Sequence, residues 1–123
     1  MMQRRTRQRD TIRAVIERAN RPLDVQDVLA RARRHVPRLG IATVYRTINA
    51  LLADGIIVPV EIPGRPVTYE RANLRHHHHF YCTACKKVYE MEGCLLGTRP
   101  AAPCGFKVES HEITLFGTCA ACA

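Results

Sequence analysis

Residues 41–70, IATVYRTINALLADGIIVPVEIPGRPVTYE, decide the fold, because their apolar period changes partway through. Val44, Ile48, Leu51 and Leu52 recur at helical spacing, which predicts a helix starting near Thr43, with Gly55 placed to cap its end. Beyond Gly55 the period drops to two. Val58, Val60 and Ile62 alternate, as do Val67 and Tyr69, and Pro63-Gly64-Arg65-Pro66 between the two runs reads as a turn.

Upstream, the helical period appears twice more. Ile12, Val15, Ile16 and Ala19 form one stripe, which Pro22 stops. Asp24 is placed as the N-cap of a second helix carrying Val25, Val28, Leu29 and Ala32, closed by Pro37 and Gly40. Three short helices followed by a hairpin form a winged helix-turn-helix pattern. The outward face of the third helix offers Thr43, Arg46, Asn49 and Ala50, with Tyr45 on its flank. An arginine suits guanine or phosphate, an asparagine suits adenine, and an aromatic ring packs on thymine methyls. The basic run Arg4, Arg5, Arg7 and Arg9 reads either as an arm that tracks phosphates or as a solubilising tail. Charge agrees with a nucleic-acid partner for this part of the chain. Residues 1–75 hold 15 Lys/Arg against 7 Asp/Glu, whereas residues 76–123 hold 4 of each.

The remainder is rich in metal donors. Cys82-Thr-Ala-Cys85 and Cys119-Ala-Ala-Cys122 are separated by 33 residues. Each pair can supply two corners of a tetrahedron, and four thiolates complete a structural zinc site in a segment too small to fold on its own core. Val88 to Met91 reads as a strand returning from the first pair. Phe106, Val108, Ile113, Leu115 and Phe116 suggest two further strands leading to the second pair. His76-His77-His78-His79 runs into Phe80-Tyr81-Cys82 on an expected strand, so His77 and His79 share one face and His76 and His78 the other. A His-x-His pair on a strand is a half-site for a divalent metal, and Glu70 and Glu90 are the nearest carboxylates along the chain. Cys94 and Cys104 have no partner by spacing and read as tolerated thiols.

These segments together resemble the ferric uptake regulator family, which includes iron, zinc, manganese and peroxide sensors. The resemblance covers nearly the whole chain. It is carried by Thr6-x-Gln8-Arg9, by Gly40-Ile-Ala-Thr-Val-Tyr-Arg46, by His76-His-His-His79-x-x-Cys82-x-x-Cys85, and by Gly105-Phe-x-Val-x-x-His111 leading to Gly117-x-Cys119-x-x-Cys122. It implies a homodimer that binds double-stranded operator DNA as a metal-responsive repressor, with Arg9, Thr43, Tyr45, Arg46 and Asn49 on the DNA-binding side. It implies structural zinc at Cys82, Cys85, Cys119 and Cys122. By position, a regulatory divalent metal (iron, zinc or manganese) falls on Glu70, His77, His79 and Glu90, and a second site falls on His76, His78 and His111. Three positions depart from the family pattern. Pro22 stands where many members place a histidine ligand. Ala72 stands where some zinc sensors have a cysteine. Gly97-Thr-Arg-Pro-Ala-Ala-Pro103 replaces a helix that gives the second site its glutamate, so that site is expected to be incomplete.

The expected architecture is α+β: a winged helix over residues 1–71, then a small α/β dimerisation and metal-binding domain over 72–123 built on a zinc-stapled antiparallel sheet. Two other readings compete. A zinc-ribbon interaction module without a regulatory role would leave the basic helices unexplained, and a peroxide sensor would use the same scaffold. Enzymatic readings are weaker. A nucleobase deaminase needs His-x-Glu followed by Pro-Cys-x-x-Cys, whereas His111-Glu112 lacks the spacing and Pro103-Cys104 lacks the second cysteine. No stretch approaches the roughly 18 apolar residues of a membrane span. The basic N-terminus has no apolar run behind it, so a cytoplasmic location is expected.

Overall fold

A computed structural model describes residues 2–94 and 102–123, residues 2–5 by backbone alone. The chain divides into two compact units, Met1–Asn73 and Leu74–Ala123. Most of the Gly97–Pro103 stretch lies outside the described residues.

The first unit contains α1 (Met2–Arg18), α2 (Val25–Ala32), α3 (Ile41–Ala53), β1 (Ile57–Val60) and β2 (Thr68–Arg71). Its core is the three apolar stripes meeting one another: Ile12 and Ile16 of α1, Val28, Leu29 and Ala32 of α2, and Val44, Ile48 and Leu51 of α3, closed by Leu23, Leu39, Ile57 and Tyr69. The basic run is helical, because α1 starts at Met2. Arginine and glutamine are good helix formers, which favours this extension. Arg7 Nη2 also donates to the His35 carbonyl at 3.0 Å, and Arg9 Nη2 donates to Asp54 Oδ2 at 2.7 Å.

The helix ends follow from their sequences. Asp24 and Asp27 form a capping box on α2: the Asp24 carboxylate accepts from the Asp27 amide at 2.8 Å, and Asp27 accepts from the Asp24 amide at 3.3 Å. At the end of α3, the Ile56 amide donates to the Leu51 carbonyl and the Gly55 amide to that of Leu52, with Gly55 at φ 70°. This pair of bonds is a Schellman closure, and it needs the left-handed conformation that glycine adopts without strain. The wing is an antiparallel pair in which Val58 stands opposite Glu70 and Val60 opposite Thr68. Its face is offset from the alternation expected for Val58, Val60 and Ile62. Ile57 enters the helical core at 1% exposure, which turns Val58 outward at 38%, while Val60 and Ile62 are buried. Leu23 and Tyr69 exchange both backbone hydrogen bonds, at 3.0 and 2.8 Å, tying the α1–α2 connection to β2.

The second unit is one sheet of β3 (His77–Cys82), β4 (Val88–Glu92) and β5 (Thr114–Gly117), in the order β4-β3-β5. β3 and β4 pair antiparallel, with His79 opposite Glu90 and Tyr81 opposite Val88. β5 instead runs parallel to β3, with His79 opposite Thr114 and Cys82 opposite Gly117, so the sheet is mixed rather than antiparallel throughout. The chain direction explains the difference. The chain reaches β5 at the level of His79 and leaves it at the level of Cys82, which delivers Cys119 to the end of the sheet that holds Cys82. Only one strand forms from the segment in which two were expected. Phe106 and Val108 precede β5 outside any strand and are exposed. Among the described residues few side chains are buried here: Tyr81, Cys82, Val88, Cys119 and His78.

Removing the capping box with Asp24→Ala is expected to cost about 1 kcal/mol. Ile48→Ala, which opens a cavity where three helices meet, is expected to cost about 2–5 kcal/mol. Urea unfolding followed by helical circular dichroism should rank the two in that order.

Candidate metal centres and nucleic-acid face

Two C-x-x-C turns converge at the ends of β3 and β5. After Cys82 the chain makes a tight knuckle: the Lys86 amide donates to the Cys82 carbonyl at 2.9 Å, and Lys86 takes φ 64°. The second pair closes with the Cys122 amide on the Cys119 carbonyl at 3.0 Å. Cys82, Cys85, Cys119 and Cys122 thereby come together, all four sulfurs within 4.8 Å of one another. Cys85 Sγ and Cys119 Sγ are 3.8 Å apart. Metal–sulfur bonds of about 2.3 Å in a tetrahedron give sulfur–sulfur edges of about 3.8 Å, so the donor set fits zinc. Backbone amides prepare the thiolates. Those of Cys85 and Cys119 point at Cys82 Sγ, at 3.4 and 3.3 Å, and hold its thiol down to about 6. Cys119 is lowered chiefly by the Tyr89 hydroxyl. Cys122 is pushed up to about 12, first by its hydrogen bond to Cys119 and then by burial. Crowded sulfurs resist full ionisation until a cation neutralises them. Tyr89 keeps its proton for the sulfurs, since its ionisation is raised by its hydrogen bonds to Cys119 and Cys85. Tyr89 escaped the reading of the sequence. Its only signal was its place on the return strand, four residues after Cys85.

β3 splits the histidine run between its faces. The rings of His77 and His79 have centroids 4.8 Å apart, and those of His76 and His78 are 4.6 Å apart. His77 Nδ1 donates to the Arg75 carbonyl at 2.6 Å, which leaves the lone pair of the neutral ring on Nε2, the arrangement a metal-ligating histidine uses. Glu90 stands opposite His79 in the ladder but belongs to none of the compact donor groups among the described residues. Glu70 is buried at the end of the wing, in the first unit.

On the opposite face, His111 joins His76 and His78. His76 Nε2 lies 3.1 Å from the Nε2 atoms of both. Cys94 joins them too, with Sγ 3.2 Å from His78 Nε2 and 3.1 Å from His111 Nε2. Cys94 thus has two imidazole neighbours. These contacts carry no signal in the sequence, because only the fold brings the end of β4 beside His78. Burial lowers the His78 pKa, with the neighbouring histidines adding to the effect, so its ring is held neutral. Cys104 is exposed.

In the first unit, Gln8, Arg9, Thr43, Arg46 and Thr47 line one shallow depression between α1 and α3. Arg46 Nη2 donates to Thr43 Oγ1 at 3.1 Å. Tyr45 and Asn49 are also exposed on α3. The Arg9–Asp54 ion pair is open to solvent on both sides, so a phosphate can compete for Arg9 at little cost. Gln8 and Thr47 extend the face expected from the sequence. Of the groups near the departure at Pro22, Asp24 is engaged in the α2 cap and Pro22 is fully buried.

A winged helix followed by a sheet that carries a four-cysteine cluster and two histidine faces defines a narrow class of proteins. The sequence model described as "Ferric uptake regulator family" matches residues 2–116, and the chain belongs to that family. It is 31% identical to the zinc uptake regulation protein of Mycobacterium tuberculosis over 97% of this chain and 94% of that protein. It is 36% identical to the ferric uptake regulation protein of Campylobacter jejuni over 68% of this chain, an alignment that spans 55% of the relative. Among solved structures, the Helicobacter pylori ferric uptake regulator, described as having three functional metal-binding sites, superposes with a TM-score of 0.71. That match covers 94% of this chain and 79% of the other at 25% identity. Among the described residues, no helix is long and apolar enough to cross a membrane.

The Phe80 ring lies against Gly117, with its Cζ 3.1 Å from the point a Cβ would occupy. Gly117→Ala is expected to push this ring aside and destabilise the second unit by about 1–3 kcal/mol. Faster hydrogen exchange at the β5 amides than at α2 would report it.

Proposed function

We propose that this chain is a metal-responsive, DNA-binding transcriptional regulator, a repressor that works as a homodimer on double-stranded operator DNA. The observation that carries the reading is the histidine run, which starts just beyond the wing and offers a His-x-His pair to each face of β3. Cys82, Cys85, Cys119 and Cys122 hold a structural zinc. It supplies folding energy to a unit that buries few apolar side chains. His77 and His79 hold a regulatory divalent metal with Glu70, and Glu90, opposite His79 in the ladder, is a candidate for a further ligand. These nitrogen and oxygen donors suit iron, manganese or zinc. Relatives named for ferric and zinc uptake support two of those metals. Glu70 ends the wing and His77 begins the sheet, so one metal on both would restrict how the winged helix is carried. Metal then favours the spacing at which two recognition helices enter successive major grooves, and by linkage DNA tightens metal.

Among the described residues β5 is an edge strand of its sheet, and Phe116 is 59% exposed beside Leu115. An open edge with an apolar surface suits pairing with a second copy. Arg9, Thr43, Tyr45, Arg46 and Asn49 form the DNA-binding face, with Arg9 and Arg46 on phosphate or guanine. The division of labour is a winged helix over residues 1–71 and a dimerisation and metal-binding domain over 72–123.

Three measurements test this reading. Arg46→Ala and Tyr45→Ala should each weaken operator binding by about 1–3 kcal/mol per site without unfolding the protein. Unchanged gel-shift affinity would move the reading face elsewhere. Cys82→Ser should lose one zinc per chain by elemental analysis, together with much of the dimer by sedimentation. His77→Ala combined with His79→Ala should keep that zinc and abolish the metal dependence of DNA binding.

A further inference from the structure

We propose that Cys94 completes a second, thiolate-bearing metal site with His76, His78 and His111, which takes a tetrahedral, borderline-soft divalent cation such as zinc or cobalt and discriminates against manganese. The inference deepens the regulator reading and rests on it for the site's purpose, but its chemistry stands on the donors alone. The sequence offered three histidines and no carboxylate where one was expected. The fold supplies sulfur instead.

The donor atoms converge on one point, at separations close to those around a small ion. His76 Nε2 is 3.1 Å from the Nε2 atoms of His78 and His111, and Cys94 Sγ is 3.2 and 3.1 Å from the Nε2 atoms of His78 and His111. All four donor atoms lie within 4.8 Å of one another. With metal–nitrogen bonds of about 2.0–2.1 Å and a metal–sulfur bond of about 2.3 Å, a tetrahedron has edges of about 3.3–3.6 Å. The four donor pairs at 3.1–3.2 Å need to spread by only a few tenths of an ångström to match these edges.

The donors come from three separated segments. His76 immediately precedes β3 and His78 lies near its start, Cys94 follows the turn at Gly93 (φ 81°) that ends β4, and His111 precedes β5. The three rings present the same nitrogen to the same point, which a chance polar surface does not arrange. His78 is 2% exposed, and Cys94 and His111 are half-buried. The Ile113 amide donates to His78 Nδ1 at 3.1 Å, so the neutral ring carries its proton on Nε2. Metal binding at Nε2 moves the ring proton to Nδ1 and breaks this amide contact beside β5. Three neutral nitrogens and one thiolate prefer zinc or cobalt. A set of imidazole nitrogens and carboxylate oxygens also accepts harder ions.

The test uses the full chain, reduced and loaded with one equivalent of zinc to fill the four-cysteine site, with zinc retention checked by mass spectrometry. Cobalt(II) is then titrated in. The expected result is a sulfur-to-cobalt charge-transfer band in the near ultraviolet, together with intense tetrahedral ligand-field bands. The band should survive His77→Ala combined with His79→Ala and disappear in His76→Ala combined with His78→Ala. Cys94→Ser should lose it and bind cobalt at that site at least about tenfold more weakly. Cys94→Asp, which keeps an anionic donor, should bind cobalt without the band. Manganese(II) at equal concentration should not suppress it in the wild type. No band in the wild type, or a band that persists in the Ser or Asp variant, overturns the proposal. Metal-dependent gel shifts in a protein without the band would sink this inference and leave the regulator reading standing. A band in a protein that binds no operator DNA with any metal would do the reverse.

Discussion

Four sulfurs within 4.8 Å of one another set the terms for the second unit. A sheet of three short strands with a handful of buried side chains gains too little from apolar burial to offset the entropy of ordering its chain. The thiol cluster also dictates topology. Its two halves sit at the ends of β3 and β5, and the halves meet only if those strands run in the same direction. A parallel pair between such short strands is otherwise an uneconomical choice, since it needs a long connection and gives slightly weaker pairing. That connection, from the end of β4 to Thr114, carries Cys94 and His111 past the start of β3. The order imposed at one end of the sheet therefore places donors at the other.

The first unit rests on a different balance. Its helices interlock through large aliphatic side chains that are almost wholly buried, and its chain reversals are fixed by local chemistry at Asp24 and Gly55. It has the ingredients of an ordinary hydrophobic core and requires no cross-link. The charge asymmetry between the two halves of the chain follows the same division. Arginines cluster on the self-sufficient unit, where they can face a polyanion, and residues 76–123 carry no net charge.

Local pattern made most of this legible. The three helices, the wing and the two faces of the histidine run follow from periods of 3.6 and 2, and the pairing of the C-x-x-C turns follows from ligand chemistry. What was not legible depended on contacts remote in sequence. The direction of β5 is not written in the alternation of Ile113 to Phe116, which fits either sense of pairing. Val58 alternates with Val60 and Ile62 in the sequence yet turns outward, because Ile57, one residue earlier, is drawn into the helical core. Phe106 and Val108 have the composition of a strand and no partner for one within the described chain. Cys94 looked unremarkable because a single cysteine after a glycine carries no spacing signal. Its meaning comes from His78 and His111, 16 and 17 residues away along the chain.

The register of β3 is anchored at its far end, where Phe80 packs on Gly117 and Cys82 is fixed by the knuckle, rather than within the four identical residues that precede them. A homopolymer held at one end responds to length change in a fixed direction. Deleting any one of the four histidines yields the same protein, in which the positions nearest Phe80 remain filled and Arg75 moves into the place of His76. The His77/His79 face would stay complete. The opposite face would exchange a donor for a guanidinium pointing at the remaining imidazoles and the Cys94 sulfur. Any event that removes one histidine from the run therefore converges on one product, with one face intact and the other electrostatically blocked.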